Sequence, residues 1–150
     1  KIDVVSPQGK VLAGVRILGP VRKGTQVEIS KSDAIRFKFE APVRSSGDIK
    51  GSGPAKLIGP KGEVEVSEGV IIADRHIHFN LEEAIEFGVK DGDVVSIAID
   101  GIKPGILGNV LCRVNKAYAL DCHLDTDDGA AFMLNTGDTV TLVKKYTINE

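Results

Sequence analysis

At 150 residues, with 42% hydrophobic and 27% charged side chains, the chain has the composition of a globular protein of one domain or two small ones. A net charge of −2 leaves no basic excess to neutralise phosphates, which argues against nucleic acid or a membrane surface as partner, and no apolar run reaches the length of a membrane span. Cys112 and Cys122 are the only cysteines and lack CxxC spacing, so a disulfide framework is not expected and a reducing compartment fits.

Seventeen glycines, six prolines and no tryptophan predict many short elements joined by tight turns, the texture of a β-barrel or sandwich. Ile2–Val5 reads as a strand, Ser6-Pro7-Gln8-Gly9 as a turn, and Val11 to Leu18 as a second strand stopped by Gly19-Pro20. A polar loop at Arg22 to Thr25 precedes a strand over Gln26 to Ile29, and Ser30 to Asp33 reads as a helix entry. Residues 41–56, rich in Pro, Ser and Gly, read as a linker or long loop. Leu57 to Val64 is a strand-turn-strand. The apolar run Val70 to Ala73 then continues through Asp74-Arg75 into His76-Ile77-His78-Phe79, predicting one buried strand. Asn80 is a good N-cap for a helix over Leu81 to Phe87, with Glu82 and Glu83 in its first turn and Gly88 as its stop. After an Asp91-Gly92 turn, strands are expected around Val94 to Ile99, Val110 to Val114, Ala117 to Cys122 and Val140 to Val143, with a short helix entered at Asp125 to Asp128. A helix followed by Gly-Val-Lys-Asp-Gly-Asp-Val-Val is common in small double-psi-type barrels, an analogy of fold only.

His76-Ile77-His78 is the stretch that carries chemistry. On a strand these imidazoles share a face, roughly 6.5–7 Å apart at the backbone, a workable spacing for one metal ion. The plainer reading is two half-buried histidines satisfied by backbone carbonyls. The third histidine, His123, follows the strand ending at Cys122 and can reach the same end of a barrel. Three imidazoles with an open position suit a catalytic zinc ion. Alternation sends Cys122 to the opposite face from His123, so both cysteines read as core thiols.

The chain also resembles itself. Val4-Val5-Ser6 matches Val94-Val95-Ser96 at an offset of 90, and Glu28 to Phe37 matches His123 to Phe132 at an offset of 95. In that alignment Glu28 takes the place of His123, and both are metal-capable. The first copy's counterpart to His76-x-His78 would lie before residue 1, so the chain is expected to be an N-terminally incomplete form of a duplicated protein.

Three stretches together carry a resemblance: Ala73 to Phe79, Gly88 to Val95 and Asp121 to Asp128. They resemble the second half of a PduL-type phosphotransacylase, the phosphate propanoyltransferase family. Gly19 to Ser30 and Ala41 to Asp48 resemble its middle segment, and the similarity runs from about Val4 to Val143. The resemblance implies a mainly β fold of two small β-barrels with short capping helices, related by internal duplication: residues 1–73, lacking the family's first His-x-His, and residues 74–150. It implies an exchange of acyl-CoA and phosphate for acyl-phosphate and CoA, in many members with propanoyl-CoA. Zinc is the implied cofactor, two ions per complete protein. His76, His78 and His123 would hold one ion, and Glu28 would be a carboxylate ligand of the other, beside the CoA sulfur. Arg22 matches the phosphate-binding arginine and is the catalytic candidate, and Ser46 matches a serine at the same site. Acyl-CoA and phosphate are the implied partners. The setting would be propanediol degradation in the cytoplasm or a bacterial microcompartment lumen. A homo-oligomer and contacts with microcompartment shell or lumen enzymes stay open.

Two other classes also stay open. A zinc hydrolase would use metal-bound water where the transferase uses phosphate, and a non-catalytic metal-binding barrel would turn nothing over.

Overall fold

The computed structural model describes residues 1–144 as a mainly β protein with short helices, divided into two compact units, the chain passing from the first to the second between Ala73 and Asp74. The first unit contains β1 (Ile2–Val5), β2 (Val11–Val15), β3 (Val27–Glu28), α1 (Lys31–Phe37), β4 (Val43–Arg44), β5 (Gly53–Gly59) and β6 (Gly62–Ala73). Its sheet runs β2-β1-β5-β6-β3, and β4 also pairs with β6. The second contains β7 (His76–Phe79), α2 (Leu81–Phe87), β8 (Val94–Ile99), β9 (Gly105–Val114), β10 (Asp121–His123), α3 (Thr126–Ala131) and β11 (Thr141–Val143), with sheet order β10-β7-β9-β8-β11. Both sheets are curled in the manner of small barrels. Among the described residues no helix is long and apolar enough to cross a membrane.

Each unit has its own core. Val4, Val27, Ile29, Ala34, Phe39, Ala55, Leu57 and Val70 form the first. Ile77, Phe79, Ala84, Val95, Ile97, Val110 and Cys112 are central to the second. Phe79 is fully buried, and truncating a ring at such a position typically costs about 3–5 kcal/mol. Strand alternation that buries Ile77 and Phe79 necessarily turns His76 and His78 to the other face of β7.

One local joint recurs and positions the candidate residues. Ser30, Asn80 and Asp125 are each extended N-caps whose side chains accept the backbone N–H three residues on, from Asp33, Glu83 and Asp128. Asn80 adds the reciprocal half of a capping box, since the Glu83 carboxylate accepts the Asn80 N–H at 2.8 Å. Two residues before each cap stand Glu28 and His123, each the last residue of its strand, and His78, the last but one of β7. The intervening Ile29, Phe79 and Leu124 pack into the cores. The Ser30 and Asp125 joints keep the offset of 95 found in the sequence comparison.

Four elements differ from expectation. The single strand expected over 70–79 is two strands in different sheets, broken at Asp74-Arg75. There the backbone turns to new partners: the Arg75 carbonyl accepts Leu111 N–H at 3.1 Å and the Asp74 carbonyl accepts the His76 ring. The strand expected to reach Leu18 ends at Val15, which pairs with Ile2, the first residue of β1. The expected linker at 41–56 contains β4 and the start of β5, because Val43 and Arg44 find parallel partners in Ile72 and Ala73. The strand expected over 117–122 is displaced to Asp121–His123, since Asn115 accepts the N–H groups of Ala117 and Tyr118 and closes a turn. His123 therefore ends a strand rather than following one.

Candidate active site

The second unit brings its three histidines together by strand register. β10 lies antiparallel to β7 with His123 opposite His76 and Asp121 opposite His78. In-register partners project from the same side of a sheet. The His76 and His123 rings stack with centroids 4.8 Å apart, and His78 lies 4.9 Å from His76 and 4.5 Å from His123. One nitrogen of each ring falls within 4.8 Å of the others.

Hydrogen bonding fixes what these rings offer. His76 Nδ1 lies 2.8 Å from the Asp74 carbonyl, which can only accept, so Nδ1 carries a proton and Nε2 is the nitrogen that could bind a metal. His78 Nε2 is buried without a hydrogen-bond partner among the described residues, although the Tyr118 ring stacks on this imidazole at 4.1 Å. Burial, then the neighbouring His123, His76 and Arg113, pull the His78 pKa down to about 4, which keeps it neutral at physiological pH. An orphaned, neutral imidazole nitrogen beside two more imidazoles is a donor set that suits zinc. His123 Nε2 also lies 3.5 Å from an Asp121 carboxylate oxygen.

The connection entering β7 is pinned from one side. Arg75 pairs with Asp128 of α3 at 3.1 Å and donates to the Gly108 carbonyl at 3.0 Å. The cysteines stay out of this chemistry. Cys112 is fully buried, Cys122 packs toward the core, and burial pushes both thiols up to about 11.

The first unit gathers Glu28 and Ser46 into one polar network. Ser46 Oγ donates to Glu28 Oε1 at 3.1 Å. The Gln26 amide donates to both, at 2.6 Å to Glu28 and 2.9 Å to Ser46, and its carbonyl oxygen accepts Gly47 N–H at 2.7 Å. Gln26 was not among the residues singled out from the sequence. Its signal was the alternation in Gln26-Val27-Glu28, which buries Val27 and places Gln26 on the face of Glu28. Arg22 lies in the segment after β2 and lines, with Arg16, Leu18, Gln26 and Glu28, a cavity of about 430 Å³ in this unit. That volume lies within the usual range for small-molecule sites, about 300–1,000 Å³.

A sequence model of the phosphate propanoyltransferase family matches residues 1–135, a span that holds all six candidate residues. The chain belongs to the phosphate propanoyltransferase family. It is therefore an acyltransferase. A phosphate propanoyltransferase of Lachnoclostridium phytofermentans is 43% identical over 142 residues, covering 95% of this chain and 67% of that protein. One from Thermotoga maritima is 47% identical over 144 residues, covering 95% and 68%. One from Rhodobacter capsulatus is 40% identical over 144 residues, covering 96% and 66%. The chain thus spans about two thirds of the length of these family members.

Proposed function

We propose that the protein transfers a short acyl group, propanoyl or similar, between coenzyme A and inorganic phosphate with the help of bound zinc. The observation that carries this reading is the convergence of His76, His78 and His123 on one strand face, with His78 Nε2 buried and unsatisfied among the described residues. These three would hold one ion, and Glu28 would be a ligand of a second. When bound, zinc supplies Lewis acidity for charge developing on the thioester oxygen and affinity for a thiolate.

The residues of the first unit have the tasks that phosphate imposes. Phosphate is strongly hydrated and must be stripped of water and aimed. Arg22 on the cavity presents a planar fork that can bind two of its oxygens. Ser46 would be a further contact to phosphate once its single O–H, which here donates to Glu28, turns from that carboxylate; the same hydrogen bond keeps the proposed phosphate-binding side chain beside the proposed metal ligand. Gln26 fixes both orientations, so that neither must be organised during the reaction. No serine or cysteine nucleophile is needed, and both thiols are held protonated. The cytoplasm or a microcompartment lumen is proposed as the setting on the strength of the family resemblance.

The test is CoA release from propanoyl-CoA by the metal-loaded protein with and without phosphate. Phosphate-dependent release, abolished by a chelator and restored by zinc, is the expected result. Release that ignores phosphate would mark a thioester hydrolase instead.

A further inference from the structure

The face of β7 that carries the histidines has a second neighbour. β9 runs parallel to it on the side opposite β10, with Leu111 beside His76 and Arg113 beside His78. Ile77 and Phe79 of β7 and Val110 and Cys112 of β9 point into the core, so Arg113 shares the outer face with the histidines. Across three adjacent strands this face presents Arg113, His78 and Asp121 in one row.

The Arg113 side chain is half-buried and makes no hydrogen bond or ion pair with any described residue. The acid in its row does not answer it: the Asp121 carboxylate lies against His123 Nε2 at 3.5 Å. A guanidinium cannot shed its charge at any physiological pH. Standing beside the three imidazoles, it opposes any cation they bind unless an anion lies between the two. A planar fork next to an open metal position matches the oxygens of a phosphate group.

We propose that Arg113 is an oxyanion-binding residue of the second unit, holding a phosphate group of the substrate beside the three-histidine site. This rests on the reading of His76, His78 and His123 as metal ligands. The group could belong to inorganic phosphate or to the phosphates of coenzyme A, which share the same chemistry. Arg113 also makes the site selective, because a neutral ligand at the metal would leave the guanidinium uncompensated.

The test loads the full chain with cobalt(II) and follows phosphorus NMR line broadening of inorganic phosphate, or of adenosine 3′,5′-bisphosphate, as each is titrated. Arg113→Met should weaken binding of at least one of these probes by roughly ten- to a hundredfold, the usual worth of a charge-assisted contact. Arg113→Lys should recover part of the loss, and the cobalt absorption spectrum should be unchanged in both variants. Loss with inorganic phosphate places that substrate at Arg113, and loss only with the bisphosphate places coenzyme A there. Unchanged affinity for both probes in Arg113→Met, with the cobalt spectrum intact, overturns the proposal while leaving the metal site standing. So does a loss produced only by Arg22→Met. A cobalt spectrum insensitive to His76→Ala and His123→Ala would remove the metal reading itself, and this proposal with it.

Discussion

Replacing Arg75 with methionine should expose how the connection into β7 is held. Arg75 Nε lies 3.1 Å from Asp128 Oδ2, with the two side chains 29% and 22% exposed, and Nη1 donates to the Gly108 carbonyl. Burial pushes the Asp128 carboxyl above its usual range, and Asp125 and Asp127 push it the same way; Arg75 offsets this only in part. The ion pair therefore does not repay the desolvation of its acid. Removing Arg75 strands that acid and orphans a carbonyl, and at this partial burial should cost about 1–3 kcal/mol at neutral pH. Asp128→Asn removes the charge but keeps an acceptor oxygen, so it should stay within about 0.5 kcal/mol of wild type. A carboxyl that titrates higher in the folded state holds more protons there, so its contribution to stability is lost as pH rises through the folded value. The Arg75→Met deficit should accordingly shrink on acidification below the unfolded carboxyl pKa of 3.8. Urea unfolding of the metal-free protein at neutral and acidic pH measures all of this. If Asp128→Asn lost as much as Arg75→Met, or if the deficit ignored pH, the assignment of burial as the dominant force on Asp128 would be wrong.

Metal-free protein should lose stability as pH falls from 6.5 toward 4, because the unfolded His78 takes up a proton that the folded one refuses. The effect, about 1–2 kcal/mol after allowing for partial exposure, should be missing from the acid limb of a His78→Gln stability profile. With both thiols pushed up to about 11, Cys112 and Cys122 should react with an aromatic disulfide reagent at neutral pH only slowly, and readily once urea unfolds the chain. Prompt labelling of the folded protein would contradict their placement. Gly53→Ala would drive a methyl group into the Glu40 carbonyl and should cost more than about 3 kcal/mol by thermal unfolding. Gly9→Ala, with φ +77° and open space around it, should cost only about 1 kcal/mol of backbone strain.

The parts of the site that were legible in the sequence are those fixed by local rules. Alternation put His76 and His78 on one face, and the Asn80 cap, Glu83 and Gly88 marked the limits of α2. The comparison of Glu28–Phe37 with His123–Phe132 matched a strand-cap-helix joint that both units contain. What escaped was set by pairing partners distant in sequence. Nothing in Val70 to Phe79 shows that Arg75 takes its partners from β9 and α3, which is why one strand was expected where two sheets begin. The turn that delivers Tyr118 to His78 depends on Asn115 capturing two N–H groups, a choice that competes with strand alternation over 117–122. The Gln26–Ser46 contact spans 20 residues and joins the residue just before β3 to the segment after β4, with no short-range pattern to announce it.

The central claim is that His76, His78 and His123 hold one metal ion. Stripping the wild-type chain and the His76→Ala, His78→Ala and His123→Ala variants, reloading them with zinc and counting bound ions tests it most directly. Each substitution should remove one tightly bound equivalent relative to wild type while leaving the far-ultraviolet circular dichroism unchanged. Zinc bound to all three variants at the wild-type ratio and affinity would contradict it.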